Sequence, residues 1–215
     1  MVRAYEERLN VVHFDAHLDY RPFVHGVQWA NGNPIRNVSQ LKTCHHIIQV
    51  GIRSLRTSQS DVQDSRARGN DIVTMPEFRR RGHAAIVDRL PRNEPVYVSI
   101  DIDVLDLPLV PGCSSSEVNG LSYEELRQTL FAIARSREVI GFDLVEVNPM
   151  IDVASDNTSL IAAQLIIEFL GRIVEHAGYR KRHPMRAAAP AARVAAASNG
   201  RNRPRNAGRR ATARS

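Results

Sequence analysis

Cysteine is scarce in this sequence: 215 residues contain two, Cys44 and Cys113. Two thiols cannot build a disulfide framework or a cysteine-rich zinc module, and a reducing cytoplasm is the expected setting. Tryptophan occurs once, and aromatic residues make up 6%. The basic segments therefore lack the interleaved rings on which nucleic-acid bases stack. No uninterrupted run of about 18 apolar residues occurs, which argues against a membrane span. The opening MVRAYEERLN carries acidic residues and no apolar stretch, unlike a secretory leader. Acidic residues are missing altogether from Arg180 to Ser215, where eleven Lys and Arg fall. The net charge of +6 therefore misleads, because 18 basic and 23 acidic residues remain in 1–179, a net of −5. The body is mildly acidic and the basic character belongs to the tail.

That tail is Ala, Arg, Pro and Asn with few large apolar side chains, too little to offset chain entropy by burial. The expected organisation is a folded domain over 1–179 and a basic, disordered tail over 180–215. No nucleic-acid-binding module is recognisable, so a nucleic-acid partner is not expected. The chain as a whole is 43% apolar, enough for a core. Short Val/Ile-rich segments predict strands at Asn10–Phe14, His46–Val50, Asp71–Met75, Val96–Ile100 and Val139–Val145. Helical spacing predicts helices at Val2–Leu9, Ser58–Gly69, Pro76–Leu90, Ser122–Arg135 and Ser155–His176. Ser122 followed by Glu124 and Glu125 marks a helix start. Strand and helix in alternation imply an α/β domain with a mainly parallel sheet, whose ligands sit beyond the carboxyl ends of the strands.

Two predicted strands run into acidic clusters there, HFDAHLD at 13–19 and SIDIDVLD at 99–106. Asp15, His17 and Asp19 alternate onto one face of an extended chain, as do Asp101 and Asp103. Buried carboxylates are costly without a cation. Four carboxylates and an imidazole suit divalent manganese. Two ions about 3.5 Å apart could share Asp15 and Asp101 and hold a water of lowered pKa. A lone DxD caps turns in many proteins. The argument rests on the two clusters together.

FDAHLD and SIDIDVLD resemble the two metal motifs of the ureohydrolase family, which includes arginase, agmatinase and guanidinobutyrase. GFDLVEVNPMID at 141–152 and PGCSSSEVNG at 111–120 resemble the family's late strand and its substrate loop. The resemblance runs from residue 4 to about 175, with its motifs in the family's order, and lies nearest the bacterial agmatinase-like branch. It implies a three-layer α/β/α sandwich and an oligomer, trimeric or hexameric. It implies two Mn²⁺ per subunit, bridged by Asp15 and Asp101. Asp19 would complete the first site and hold the bridging hydroxide; His17 and Asp103 would bind the second ion. Glu117 would pair with the substrate guanidinium, and Asp103 would pass the proton to the leaving amine. The implied reaction is manganese-dependent hydrolysis of a small guanidino compound, agmatine in that branch, to urea and an amine. A catalytically impaired fragment or partner subunit is the alternative.

Three departures from the family pattern bear on this. The family's upstream GGDH segment, which carries a further histidine ligand, has no counterpart, so the domain is expected to be N-terminally incomplete and to lack the first strands. Asn31 stands where the family has a substrate-side histidine, with His25 as a nearby candidate. The substrate loop has Cys113, Ser114, Ser115 and Ser116 for Thr-Gly-Thr-Pro, and Asn119 for a glycine, the residue best suited to positive φ. Other residues have plain readings. His13 is read as facing away from His17 and structural, Cys44 as core, and His45 and His46 as unable to share an ion. Cys113 is a threonine substitute, Asp106 a turn former and Arg79–Arg81 a solvated helix face. Asp143 and Glu146 are candidates to brace the site.

Overall fold

The computed structural model describes residues 2–152 and 156–184. The chain divides into two units, Met1–Pro184 and Met185–Ser215. The expected tail does not begin at 180: helix α7 (Ala177–Arg182) continues past that point, and Arg182 pairs with Glu138 at 3.0 Å. The remainder of the tail, 185–215, lies outside the described residues.

Five strands form one sheet: β1 (Leu9–Phe14), β2 (Cys44–Ile52), β3 (Asp71–Thr74), β4 (Val96–Asp101) and β5 (Val139–Val145). Every neighbouring pair is parallel, and the order is β3-β2-β1-β4-β5. Parallel strands need crossovers, and helices make them. They are α1 (Pro34–Ser39), α2 (Gln59–Ala67), α3 (Met75–Arg81), α4 (Ala84–Val87) and α5 (Tyr123–Ser136), and α6 (Asn157–Glu175) follows β5. One sheet face buries Phe14, Val50, Val98 and Ile100 with Phe78, Ile86, Leu130 and Phe169 from α3–α6. The other buries Val11, Ile47 and Tyr97 with Ile35, against which Val38 of α1 and Val62 of α2 pack. Two cores on two faces make the expected α/β/α sandwich.

All five strands fall within two residues of their predicted positions or extend them. The helices differ more. Val2–Leu9 is not a helix; Val2–Ala4 forms one 3₁₀ turn, and Leu9, fully buried, is the first residue of β1 paired to Cys44. The sheet claims that residue because it needs apolar side chains on both faces. Pro76–Leu90 breaks into α3 and α4 at Gly82, whose φ of +57° no helix accepts. Helix α1, unpredicted, starts with Pro34 at its first position, where a missing N–H costs nothing. The capping box of Ser122 and Glu125 opens α5 as read. The predicted start of the last helix at Ser155 lies outside the described residues. That helix, α6, is long and apolar enough to cross a membrane by length and composition; one side of it, Ala162, Leu165, Phe169 and Ile173, is buried in the core.

The strand order has a functional consequence. From β1 the chain steps outward through β2 to β3, then returns to β4 on the other flank of β1. The order reverses between β1 and β4, and such a switch point opens a crevice at the carboxyl ends of the strands. Both acidic clusters sit at this point. Gly51 secures the neighbouring edge. Its φ is +98°, and a Cβ there would lie 2.7 Å from Val104 Cγ2 and 2.9 Å from the Asp15 carbonyl. Both the strain and the backbone clash fall on Gly51→Ala. It should lower stability by about 2–4 kcal/mol, read as a lower urea midpoint with an unchanged m-value.

Candidate metal centre

Asp15 follows β1 directly, its N–H donating to the Val50 carbonyl at 3.0 Å. It is almost fully buried, and its two oxygens face opposite ways. Oδ1 lies 3.2 Å from His17 Nδ1, which is also 2.9 Å from Asp103 Oδ2. Oδ2 lies 3.1 Å from His13 Nε2. Two donor triads result, Asp15–His17–Asp103 and His13–Asp15–Asp19, and a third group joins Asp101, Asp103 and Cys113. Of the predicted ligands, Asp15, His17, Asp19, Asp101 and Asp103 all come to this one crevice. His13, read as structural and facing away from His17, stands on the other oxygen of Asp15 from His17 and joins a donor triad there, because residues two apart on a strand share a face. Its Nδ1 is buried without a partner among the described residues. The i, i+2 spacing in HFD was the signal that could have found it.

The backbone is built to gather these carboxylates. The Asp101 side chain accepts from the Asp103 N–H at 2.9 Å, and Asp103 Oδ1 accepts from the Ala16 N–H at 3.0 Å, tying the β4 loop to the β1 loop. Ser115 Oγ donates to Asp103 Oδ2 at 3.2 Å. Arg53, just past β2, donates only to carbonyls: Asp103 at 2.8 Å, Leu105 at 3.1 Å, Glu117 at 2.8 Å and Val118 at 2.9 Å among them. One guanidinium thus holds the β4 loop against the substrate loop. Buried Gln49 donates to the Leu18 carbonyl at 2.5 Å and fixes the loop after β1. Asp143 accepts from Ser99 at 2.7 Å and Tyr97 at 2.8 Å, so it braces β4 against β5.

Crowding these acids moves their titration. Burial, then the charges of Asp15 and Asp103, push the Asp101 carboxyl up to about 10. Burial and the Asp15 charge push Asp19 up to about 7. For His17 burial opposes the charged ring, but Asp103 and Asp15 outweigh it and raise it to about 10. For Asp15 burial is likewise overcome, by His13 and His17, which hold it well below the usual carboxylate range. Donor atoms 2.9–3.2 Å apart are spaced like adjacent ligands on an octahedral ion, roughly 3 Å for bonds of about 2.1 Å. Hard oxygens with imidazole nitrogens suit a divalent metal ion. The residues fit a divalent metal.

A family model described as the arginase family matches residues 1–171. The chain belongs to the arginase family. It is 33% identical over 178 residues to a formimidoylglutamase of Halalkalibacterium halodurans, spanning 79% of this chain and 55% of that protein. It is 35% identical over 173 residues to an agmatinase of Bacillus anthracis, spanning 79% of this chain and 57% of the relative. The crystal structure of formimidoylglutamase from Bacillus subtilis superimposes with a TM-score of 0.74 at 29% identity, covering 82% of this chain and 57% of the other. The chain spans little more than half the length of these arginase-family proteins.

Beside the cluster lies a cavity of about 360 Å³, walled by Asp19, Asp101, Asn31, Ser115, Arg56 and Glu146, among others. Asn31 thus lies where substrate could meet it. Glu117 does not line the cavity. Its carboxylate accepts from Ser54 Oγ at 2.8 Å and Arg56 at 3.3 Å, and Oε1 stands 3.6 Å from His17 Nε2. Glu146 does line it, in a left-handed backbone turn of φ +64° and without a hydrogen-bonded or ionic partner among the described residues. Cys113 and Cys44 are buried free thiols. Asn119, at the predicted glycine position, has a φ of +63°.

The titration shifts give a signed expectation. In the metal-free protein Asp19, Asp101 and His17 hold protons more tightly folded than unfolded. The folded state then binds more protons, and stability falls as pH rises through these windows, about 4 to 7 for Asp19 and about 6.5 to 10 for His17. Saturating Mn²⁺, which needs deprotonated ligands, should reverse that slope. Melting temperatures between about pH 5 and pH 9, with EDTA and with Mn²⁺, check both signs.

Proposed function

We propose that this chain carries the metal-binding core of an amidinohydrolase, which cleaves a small guanidino or amidino compound. The observation that carries the reading is Asp15, whose two oxygens face two separate imidazole–carboxylate donor sets at the sheet's switch point. Asp15 and Asp101 would be shared between two ions, with Asp19 on one and His17 with Asp103 on the other. When bound, such a pair lowers the pKa of water enough to make it a nucleophile near neutral pH.

The rest is the work of the chain's own side chains. Glu146, free at the cavity wall, meets the planar N–H fork of the substrate with two oxygens. Glu117, engaged by Ser54 and Arg56, shapes the rim. The Asn31 amide offers hydrogen bonds but cannot carry protons. Water attacks the central carbon as the Asp19 carboxylate accepts its hydrogen bond. The carbon–nitrogen bond to the alkyl arm breaks, and the Asp103 carboxylate relays the proton to the departing nitrogen. A guanidino substrate yields urea and an amine. Agmatine, implied by the sequence resemblance, is one member of this class, and the formimidoylglutamase relatives point to amidino acids as another. The two buried thiols accord with a cytoplasmic setting. A trimer or hexamer is the assembly the resemblance implies.

The full chain, dialysed against Mn²⁺ and measured by elemental analysis, should hold two ions per folded chain. Asp101→Ala should lower both that number and product release, the latter by tenfold or more, about 1.4 kcal/mol of barrier. One ion or none, or a smaller loss in Asp101→Ala, overturns the binuclear hydrolase.

A further inference from the structure

The cavity wall carries charges of both signs. Asp19, Asp61, Asp101 and Glu146 line it together with Arg21 and Arg56. The Arg56 guanidinium makes all of its polar contacts through one nitrogen: Nη2 reaches His17 Nε2 at 2.6 Å, the Ser115 carbonyl at 3.3 Å and Glu117 Oε1 at 3.3 Å. Its Nε and Nη1 have no partner among the described residues. The Arg21 guanidinium makes a single contact, from Nη2 to the Arg56 carbonyl at 3.2 Å, and pairs with no carboxylate among them. Two guanidinium groups therefore border the cavity with donor edges unspent. Arg53 nearby shows the contrast, since its donors are consumed by carbonyls.

We propose that Arg56, with Arg21 beside it, binds the far end of the substrate and selects a guanidino or amidino compound ending in a carboxylate over one ending in an amine. The inference rests on the amidinohydrolase reading and supplies its substrate class. A guanidinium fork is the side chain best matched to a carboxylate, which it meets with two parallel N–H donors. An ammonium at the same place meets two like charges and no free acceptor on either arginine. The acids nearby do not reverse this. Glu117 is shared between Ser54 and Arg56. Asp61, the other carboxylate lining the cavity, is buried in the first turn of α2, where the helix dipole already stabilises its charge. Asp19, Asp101 and Glu146 are committed to the reacting end.

Three probes sharing one reacting end separate the possibilities: 4-guanidinobutyrate, the uncharged-tail butylguanidine, and agmatine. Each is titrated by calorimetry into the Mn²⁺-loaded full chain. The carboxylate should bind at least roughly tenfold tighter than butylguanidine, the gain of a charge-assisted hydrogen bond, and agmatine weaker than both. Arg56→Ala should erase most of that preference, Arg21→Ala part of it, and Arg56→Glu should turn it toward agmatine, each compared at equal manganese occupancy. Arg56 is more than half exposed, so these variants keep the core intact. If butylguanidine binds and agmatine equals or beats the carboxylate, or if Arg56→Ala keeps the preference, the selection proposal fails alone. If butylguanidine does not bind either, the amidinohydrolase reading fails and takes this one with it.

Discussion

Four carboxylates, Asp15, Asp19, Asp101 and Asp103, crowd the end of the sheet where its order reverses, and this repulsion is the constraint that the surrounding structure answers. Asp15 and Asp103 are buried almost completely. In a low-dielectric setting unpaired charges at such spacing do not coexist. The protein responds with backbone amides from Ala16, His17 and Asp103, two imidazoles, and protons kept on Asp19 and Asp101 well above their usual range. These measures make the cluster tolerable without making it stable. A site that satisfied itself fully would have no affinity left for a cation. The residual imbalance is the driving force for metal binding, and it costs folding stability whenever no cation is present.

Holding such a cluster requires loops that cannot relax away from it. The loop after β1 is long, and Gln49 and Arg53 tie it and its neighbours down from β2. The substrate loop shows how local chemistry can replace rigidity. Serine at 116, where proline is usual in the resembling motif, leads one to expect a looser turn. Instead Ser116 Oγ bonds back to the Val110 and Cys113 carbonyls at 3.0 and 3.2 Å, and Ser115 reaches Asp103. Asn119 takes the positive φ that glycine would have taken. Ser115, Ser116 and Asn119 are thus each either hydrogen-bonded or placed in a conformation they tolerate.

The strands were legible because buried parallel strands write themselves as short Val/Ile runs, and the acidic cluster because acids following such runs have few other uses. Less was legible where conformation depends on contacts distant in sequence. Leu9 looks helical beside Val2 and Tyr5, but its pairing with Cys44 decides it. Gly82 breaks a helix that periodicity alone would have continued. His13 was read as structural because strand alternation was applied to its neighbours and not to it. The contrast between Glu117 and Glu146 could not be read at all from order along the chain. It depends on which carboxylate Ser54 and Arg56 happen to engage, and the two are brought together only by folding.

The two arginines after β2 make the same point in reverse. Arg53 and Arg56 lie three residues apart in Gly-Ile-Arg-Ser-Leu-Arg, and the sequence gives no reason to separate their roles. The fold does so by geometry. At Arg53 the chain is still held to the Ala16 carbonyl by two amides, and the side chain turns inward among the carbonyls of the loops it joins. By Arg56 the chain has left the sheet, Leu55 is fully exposed, and the guanidinium lies at the rim with half its donors free. An interior arginine spends its charge on structure, because buried carbonyls leave it no slack. The same side chain one turn later keeps enough hydrogen-bonding capacity to recognise something outside the protein. What distinguishes architecture from recognition here is therefore how many of a guanidinium's donors the fold has already consumed.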